Sequence, residues 1–254
     1  MTVLAGRVVL VTGAASGMGR STAQRVATEG ARVVALDVDE PGLDETTRLV
    51  EEAGGEAIPY VTDVSREDDV AAAVAGGLEA LGRLDGVVTC AGIFYGDDLR
   101  PVADVSLDTF NHVIGVNLTG TFLVVKHALP HLVAQGAGSV VTIASTAALR
   151  GHGFGSGYTA SKGGVDALTR LVAAQYGRLG VRANCICPGG VDTPMTAGTF
   201  LTPEAVERTK KRVPLQRVGV PSEIASVATF LLSDDAAYLT GQTIAVDGGS
   251  ITSG

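Results

Sequence analysis

The sequence predicts an α/β fold in which a doubly wound, parallel sheet of seven strands carries helices on both faces. Short β-branched, apolar runs alternate with longer segments of helical spacing, without a linker or a shift in composition. The predicted strands are apolar throughout, which is typical of a parallel sheet covered on both faces. With 254 residues, 46% hydrophobic and 18% charged, residues 1–254 are predicted to form a single domain.

Each predicted strand is a short run of apolar and β-branched residues that stops at a turn or at the start of a helix. The first run leads directly into a glycine-rich turn, and the second ends at Asp37. The seven strands are predicted at 7–12, 31–37, 57–61, 86–90, 139–145, 181–186 and 243–246.

The helices are bounded by residues that favour helix ends. Gly30 is predicted to end the first helix and Pro41 to open the second. Ser65–Asp68 resembles a capping box for the third, and Pro130 is predicted to disturb the last turn of the fourth. The helices are predicted at 17–29, 41–53, 65–81, 106–132, 156–179 and 221–232, with one short helix inside an insertion at 194–217.

Composition argues against several function classes. A net charge of −8 argues against a nucleic-acid partner, because phosphate binding needs clustered Lys and Arg. The sequence has no run of 18 apolar residues, so no membrane span is expected. The three cysteines lack CxxC spacing, which favours reduced thiols and a cytoplasmic location. No metal site is expected, because the usual ligand spacings are missing.

A glycine-rich segment, TGAASGMG at 12–19, lies between the first strand and the first helix. Its glycines allow a tight turn, close approach of the backbone to a pyrophosphate, and close packing of helix on strand. The helix N-terminus offers backbone N–H groups to the anion. The segment therefore predicts a Rossmann-type dinucleotide site, with these members: Gly13, Ser16, Gly17, Met18 and Gly19.

Asp37 lies 18 residues beyond Gly19, at the end of the second predicted strand. An acid at this place can accept hydrogen bonds from both ribose hydroxyls of an adenosine, and it would repel a 2′-phosphate. The sequence therefore predicts NAD as the cofactor.

Tyr158 and Lys162 are four residues apart in a predicted helix, so their side chains share one face. A neighbouring ammonium favours a phenolate and is expected to lower the pKa of Tyr158 from its usual ~10. Tyr158 is therefore a candidate proton-transfer group near neutral pH.

These segments, in this order, resemble the short-chain dehydrogenase/reductase family from Gly6 to Gly249. TGAASGMG resembles the family's TGxxxGxG, and YTASK at 158–162 resembles its YxxxK. Ser145 stands thirteen residues before Tyr158, and Asn117 matches a helix asparagine of the family. One departure is at 89–92, where TCAG stands in place of the frequent NNAG, which puts a strand-stabilising asparagine hydrogen bond in question.

The resemblance implies hydride transfer at the C4 atom of a nicotinamide. Tyr158 would be the acid/base, and Ser145 would hydrogen-bond the substrate oxygen. Lys162 would bind the nicotinamide ribose and lower the pKa of Tyr158, while Asn117 would hold a water in a proton relay. The remaining cofactor contacts that it implies are Asp63 and Val64 at the adenine, Ala91 and Gly92 beside the adenosine, and Pro188, Gly189, Val191 and Thr193 near the nicotinamide.

The substrate side is predicted from three segments: the loop after Gly92, residues 147–157 and the insertion 194–217. Candidate substrate contacts are Phe94, His152 and Met195. The insertion is expected to be a mobile lid, because little apolar area opposes its opening. The resemblance also implies a homotetramer, with the helices near 106–132 and 156–179 as one interface.

The function that these observations favour is NAD-dependent oxidation of a secondary alcohol, or the reverse reduction of a ketone. One alternative is an NADPH-dependent 3-oxoacyl-carrier-protein reductase. Such reductases often carry a basic residue where this chain has Ser16, and they lack an acid at the position of Asp37, so both residues argue against this alternative. Another is a non-catalytic dinucleotide-binding protein, which would have no need of Tyr158.

Overall fold

The computed structural model describes residues 2–150, 155–197 and 202–252. Its seven strands form one parallel sheet in the order β3-β2-β1-β4-β5-β6-β7, so the predicted fold class is confirmed. The strands are β1 Val8–Thr12, β2 Arg32–Asp37, β3 Glu56–Val61, β4 Gly86–Thr89, β5 Gly138–Ile143, β6 Val181–Pro188 and β7 Thr243–Val246.

The helices lie in two layers, one on each face of the sheet. The helices are α1 Gly17–Thr28, α2 Glu40–Glu52, α3 Glu67–Leu81, α4 Leu107–Ile114, α5 Gly120–Ala134, α6 Ser156–Tyr176, α7 Pro203–Arg212 and α8 Pro221–Leu232. Helices α1, α2 and α8 contribute to the core on one face, and α3, α5 and α6 contribute to the core on the other.

Strand β1 shows how one sequence serves both cores. Val9 and Val11 pack into the first core, whereas Val8 and Leu10 pack into the second, because successive side chains of a strand point to opposite faces. All four are at most 1% exposed. This two-sided burial explains why β1 is continuously apolar up to Val11.

The long helix predicted at 106–132 is interrupted. A π-helical turn at Gly115–Thr119 separates α4 from α5, and Pro130 lies inside α5, which continues to Ala134. The predicted capping box at Ser65–Asp68 is also wrong: α3 begins at Glu67 without a side-chain cap, and the Ser65 hydroxyl instead donates to Asp63 at 2.7 Å.

The stretch Leu107–Ala134 has the length and hydropathy of a membrane-crossing helix, with a mean hydropathy of 1.3 in its most apolar window. Half of that window is buried inside the fold, and Val124, Ala128 and Leu132 pack against the sheet. Its apolar character is therefore explained by core packing.

Strand β1 lies between β2 and β4. From β1 the chain continues to β2 and β3 on one side of the sheet, and it then crosses back to β4 on the other side, from which the strands continue to β7. In parallel α/β sheets such a switch of direction opens a crevice at the carboxyl ends of the strands, where ligands bind. The predicted site residues that follow β1, β2, β3 and β4 all meet at this end.

Candidate active site

A cleft of about 390 Å³ opens at the carboxyl ends of β1, β2 and β4. Its floor depends on glycines. A Cβ atom at Gly13 would lie 2.8 Å from the backbone nitrogen of Ala91, and one at Gly19 would collide with the carbonyl oxygen of Gly13. Gly13 and Gly17 also have φ angles of +67° and +51°, which favour glycine. The turn is therefore shaped for close backbone approach to a ligand.

The N-terminus of α1 faces this cleft. Ser16 is the N-cap residue, but its hydroxyl makes no capping hydrogen bond, and the first turn holds no acidic residue. Backbone N–H groups and the positive end of the helix dipole are then available to an anion. The donors fit the pyrophosphate of a dinucleotide.

Asp37 lies at the end of β2, on the wall of the same cleft. One carboxylate oxygen accepts a hydrogen bond from the backbone N–H of Ala15 at 3.0 Å, and the other accepts from that of Asp39 at 3.1 Å. These bonds fix the carboxylate beside the glycine turn, where it can accept from ribose hydroxyls.

Most of the predicted cofactor residues are brought together here. Those that line the cleft are Gly13, Ser16, Gly17, Met18, Gly19, Asp37, Asp63, Val64, Ala91, Gly92 and Thr193. Five of the described residues predicted to bind the cofactor do not line it: Tyr158, Lys162, Pro188, Gly189 and Val191. Gly189 instead serves packing, since a Cβ there would lie 2.7 Å from the Cβ of Asp247, the residue that follows β7.

The cleft also has wall residues that sequence reasoning missed: Val38, Thr62, Cys90, Ile93, His112, Val116 and Pro194. Most are immediate neighbours of predicted residues. Val116 is next to the predicted Asn117, and His112 is four residues before Val116, so helical spacing places His112 and Val116 on one face. This spacing was the signal in the sequence that could have indicated His112 as a cleft residue.

Tyr158, Ser145 and Phe94 meet beyond the cleft floor. The Ser145 hydroxyl lies close enough to the Tyr158 phenol to lower its pKa. Ser145 is 5% exposed and also accepts from the backbone N–H of Ala147 at 3.1 Å, which orients its side chain. The Phe94 ring meets the Tyr158 ring edge-to-face, with centroids 5.2 Å apart.

Lys162 lies one helical turn after Tyr158. Its Nζ atom is 5.7 Å from the centre of the Tyr158 ring and donates to the carbonyl oxygen of Ile143 at 2.9 Å. A Cβ atom at Gly92 would lie 3.5 Å from this Nζ. The ammonium therefore reaches the place where the cleft floor meets the tyrosine.

Burial decides the acidity of this pair. It raises the pKa of Tyr158 above its usual value, and the nearby Ser145 hydroxyl opposes that rise. The expected lowering by Lys162 is not among the causes of this shift, whose direction is set by the penalty that burial puts on the phenolate. Burial also lowers the pKa of Lys162 to about 8, so its amine is mostly protonated at pH 7.

Asn117 lies in the π-helical turn and is fully buried. Its amide oxygen accepts from the backbone N–H of Ile93 at 2.7 Å, and its amide nitrogen donates to the carbonyl of Ile93 at 3.0 Å and to the Ser161 hydroxyl at 3.2 Å. The side chain therefore clamps the chain just after Gly92 onto α6.

The departure from the family's NNAG lies next to a bond between two strand ends. The Thr12 hydroxyl accepts from the backbone N–H of Ala91 at 3.0 Å and so ties the end of β4 to the end of β1. The loss of surrounding water raises the pKa of Cys90 to about 12, so its thiol is protonated at neutral pH. Cys185 and Cys187 are fully buried on β6, as small core side chains.

The predicted substrate contacts fall on different sides. Phe94 contacts the Tyr158 ring, and Met195 lines the cleft beside Thr193 and is 42% exposed. His152 lies outside the described residues, as do Phe200 and Leu201 of the insertion.

Comparison with known proteins places this geometry in a family. A family model described as Enoyl-(Acyl carrier protein) reductase matches residues 13–250. The chain is 42% identical over 251 residues to levodione reductase of Leifsonia aquatica, covering 96% of this chain and 93% of that protein. It is 41% identical over 244 residues to cis-4-hydroxycyclohexanecarboxylate dehydrogenase of Sinomonas cyclohexanicum, covering 96% of both.

A solved structure of a dehydrogenase has the same fold as this chain. Carveol dehydrogenase from Mycobacterium avium, crystallised in complex with NAD, superimposes with a TM-score of 0.94 at 30% identity, covering 99% of this chain and 100% of that one. The chain therefore belongs to the short-chain dehydrogenase/reductase family, as an oxidoreductase that acts on alcohol or ketone groups with a nicotinamide cofactor.

Proposed function

We propose that the protein transfers a hydride between the C4 atom of NAD and the carbinol or carbonyl carbon of a secondary alcohol or ketone. The observation that carries this proposal is the placement of the Ser145 hydroxyl beside the Tyr158 phenol, one helical turn from Lys162 and next to the dinucleotide cleft. Two oxygen donors converge where a substrate oxygen can bind, and the Lys162 ammonium lies near the Tyr158 ring.

Tyr158 is the proposed acid/base. In alcohol oxidation its phenolate accepts the hydroxyl proton while the carbinol C–H bond breaks, and in reduction the phenol returns that proton to the oxygen. Ser145 donates to the substrate oxygen and holds it against the phenol. When bound, the nicotinamide supplies the hydride acceptor or donor, and its oxidised form carries a positive charge that favours the phenolate.

Lys162 and Asn117 have supporting roles. The Lys162 ammonium is buried beside the cleft floor, where it can donate to the nicotinamide ribose. The Asn117 side chain is hydrogen-bonded to Ile93 and Ser161. We therefore assign the proposed water relay to the backbone carbonyl of Asn117 in the π-helical turn. This carbonyl also accepts from the Thr121 hydroxyl at 2.8 Å.

The substrate class is a secondary alcohol or ketone on an apolar ring. Phe94 places an aromatic wall beside the Tyr158 ring, and one relative is named for a hydroxycyclohexane substrate. A panel of cyclohexanols and linear secondary alcohols with NAD, read at 340 nm, tests this. Turnover only of 3-oxoacyl thioesters with NADPH would indicate the acyl-carrier-protein reductase instead, and no turnover of any substrate would favour a pure binding protein.

The segment 194–217 is the proposed lid. Its described part begins with Pro194–Thr196 and includes α7, in which Ala205 is the one buried residue, so little apolar area holds it down. Closure would exclude water from the site. Amide exchange in α7 should be faster than in α6 and should slow when NAD and a substrate analogue bind. Equal protection with and without ligands would contradict a lid.

The assembly is a proposed homotetramer with two-fold axes. An apolar groove of about 330 Å³ runs between α5 and α6, and Phe122 and Leu171 on its walls are 46% and 51% exposed. The edge strand β7 has no further strand beside it in the described sheet, and Tyr238 near it is fully exposed. Light scattering at micromolar protein should give four times the 25.7 kDa chain mass; a monomer would contradict this.

The proposed location is the cytoplasm. All three cysteines are free thiols, as expected for a reducing compartment. Thiol titration of the denatured protein after isolation without reductant should count three.

A further inference from the structure

Asp98 is a fully buried carboxylate in the loop that follows β4. None of the ion pairs in the described part of the chain includes it. Its two oxygens instead accept from the backbone N–H groups of Gly157 at 2.7 Å and Tyr158 at 2.8 Å. A buried carboxylate is costly unless strong donors satisfy it, so this arrangement needs an explanation.

The two donors belong to the first turn of α6. Gly155 is the N-cap residue of this 21-residue helix and has no side chain to cap it, and the first turn contains no acidic residue. Asp98 therefore caps the helix from a distant segment, and its charge lies at the positive end of the helix dipole.

The glycines at the start of α6 make room for this cap. A Cβ atom at Gly155 would collide with Oδ2 of Asp98, and one at Gly157 would lie 3.3 Å from Oδ1. The close approach of the carboxylate thus depends on Gly155.

The cap acts directly on the backbone that carries the Tyr158 side chain. The same loop is also held by Asn117 at Ile93, and it places Phe94 on the Tyr158 ring. The loop that walls the substrate side and the helix that carries the phenol are therefore joined directly at Phe94 and Asp98, and through Asn117 at Ile93.

We propose that Asp98 is a positioning residue that holds the first turn of α6, and with it the Tyr158 phenol, in register with Ser145 and the substrate loop. This inference rests on the proposed role of Tyr158. A displacement of about 1 Å can cost on the order of a hundredfold in rate, so a lost cap would be visible in kcat.

Asp98→Ala should lower kcat by about 10- to 100-fold while the Kd for NADH stays within about twofold, because the cap holds the start of α6, which does not line the cleft. Asp98→Asn keeps one acceptor oxygen, so its kcat should lie between that of Asp98→Ala and that of the wild type. Asp97→Ala is the matched control: Asp97 is in the same turn, but it is exposed and pairs with Arg100 at the surface, so its kcat should be unchanged.

The conservative variant separates positioning from general destabilisation. Asp98→Asn keeps an oxygen that can accept from Gly157 or Tyr158, so part of the kcat lost in Asp98→Ala should return. A serine at position 155 cannot replace this cap, because a Cβ atom there would also lie 2.7 Å from the backbone carbonyl oxygen of Asp98, which every side-chain variant keeps.

The inference would be overturned if Asp98→Ala kept kcat within twofold, or if kcat and NADH affinity fell together in Asp98→Asn. Amide exchange supplies a readout that needs no turnover: the N–H groups of Gly157 and Tyr158 should be protected in the wild type and exchange faster in Asp98→Asn. An inactive wild type with this difference intact would refute the proposed function and leave the cap standing, whereas unchanged exchange would refute the cap.

Discussion

Tyr158→Phe should lower kcat by about 10²- to 10⁴-fold, the range that a positioned acid/base contributes. The phenylalanine ring keeps the edge-to-face contact with Phe94 but has no oxygen to exchange a proton. NADH should still bind with a Kd within about threefold of the wild type, because Tyr158 is not part of the cleft wall. Steady-state rates with NAD and fluorescence titration with NADH measure the two quantities.

Tyr176→Phe is the matched control for this change. Tyr176 is on the same helix, at its opposite end, and packs against the second core. It should keep wild-type kcat. Activity of Tyr158→Phe within tenfold of the wild type would mean that another group moves the proton.

The wild type should use NAD about 30- to 150-fold more efficiently than NADP, which corresponds to about 2–3 kcal/mol of unpaired charge contact. A 2′-phosphate would meet the Asp37 carboxylate. Its neighbours in the cleft, Ser16 and Val38, are uncharged. Arg20 does not compensate, because its guanidinium bonds the carbonyls of Ala15 and Gly42 between α1 and α2.

Asp37→Asn should narrow this preference at least about tenfold, since removing a repulsive element relaxes specificity. The amide oxygen can still accept from the N–H of Ala15, so the glycine turn keeps its support. Asp39→Asn, two residues further on, is the control and should leave the ratio of kcat/KM values unchanged. Equal efficiency with both cofactors in the wild type would remove Asp37 from the specificity site.

The sheet was predictable from the sequence because its signals are local. The run Val8–Val11 is apolar at every position, and it leads into a turn whose glycines indicate a close approach of the backbone to a ligand. The dinucleotide cleft followed for the same reason, since Gly13, Gly17 and Asp37 lie at the ends of strands that a parallel sheet gathers at one edge.

The parts that sequence reasoning missed depend on contacts between distant segments. Asp98 and Gly157 are 59 residues apart, and nothing in either segment indicates that one caps the other. The π-helical turn around Asn117 was read as continuous helix, because helical spacing does not report a wider turn. The direction in which the pKa of Tyr158 shifts is set by the burial of its side chain, and the sequence shows only the neighbouring Lys162, not that burial.

The central claim is that the protein moves a hydride between the nicotinamide C4 atom and a carbinol carbon, and isotope transfer tests it most directly. NADH deuterated at the transferable C4 position is incubated with a cyclohexanone that the enzyme reduces, and the product alcohol is analysed by mass spectrometry and proton NMR. One deuterium should appear at the carbinol carbon, and Tyr158→Phe should form this product at least about a hundredfold more slowly. A product alcohol with hydrogen at that carbon, or no reduction across the ketone panel by the folded, NADH-binding protein, would contradict it.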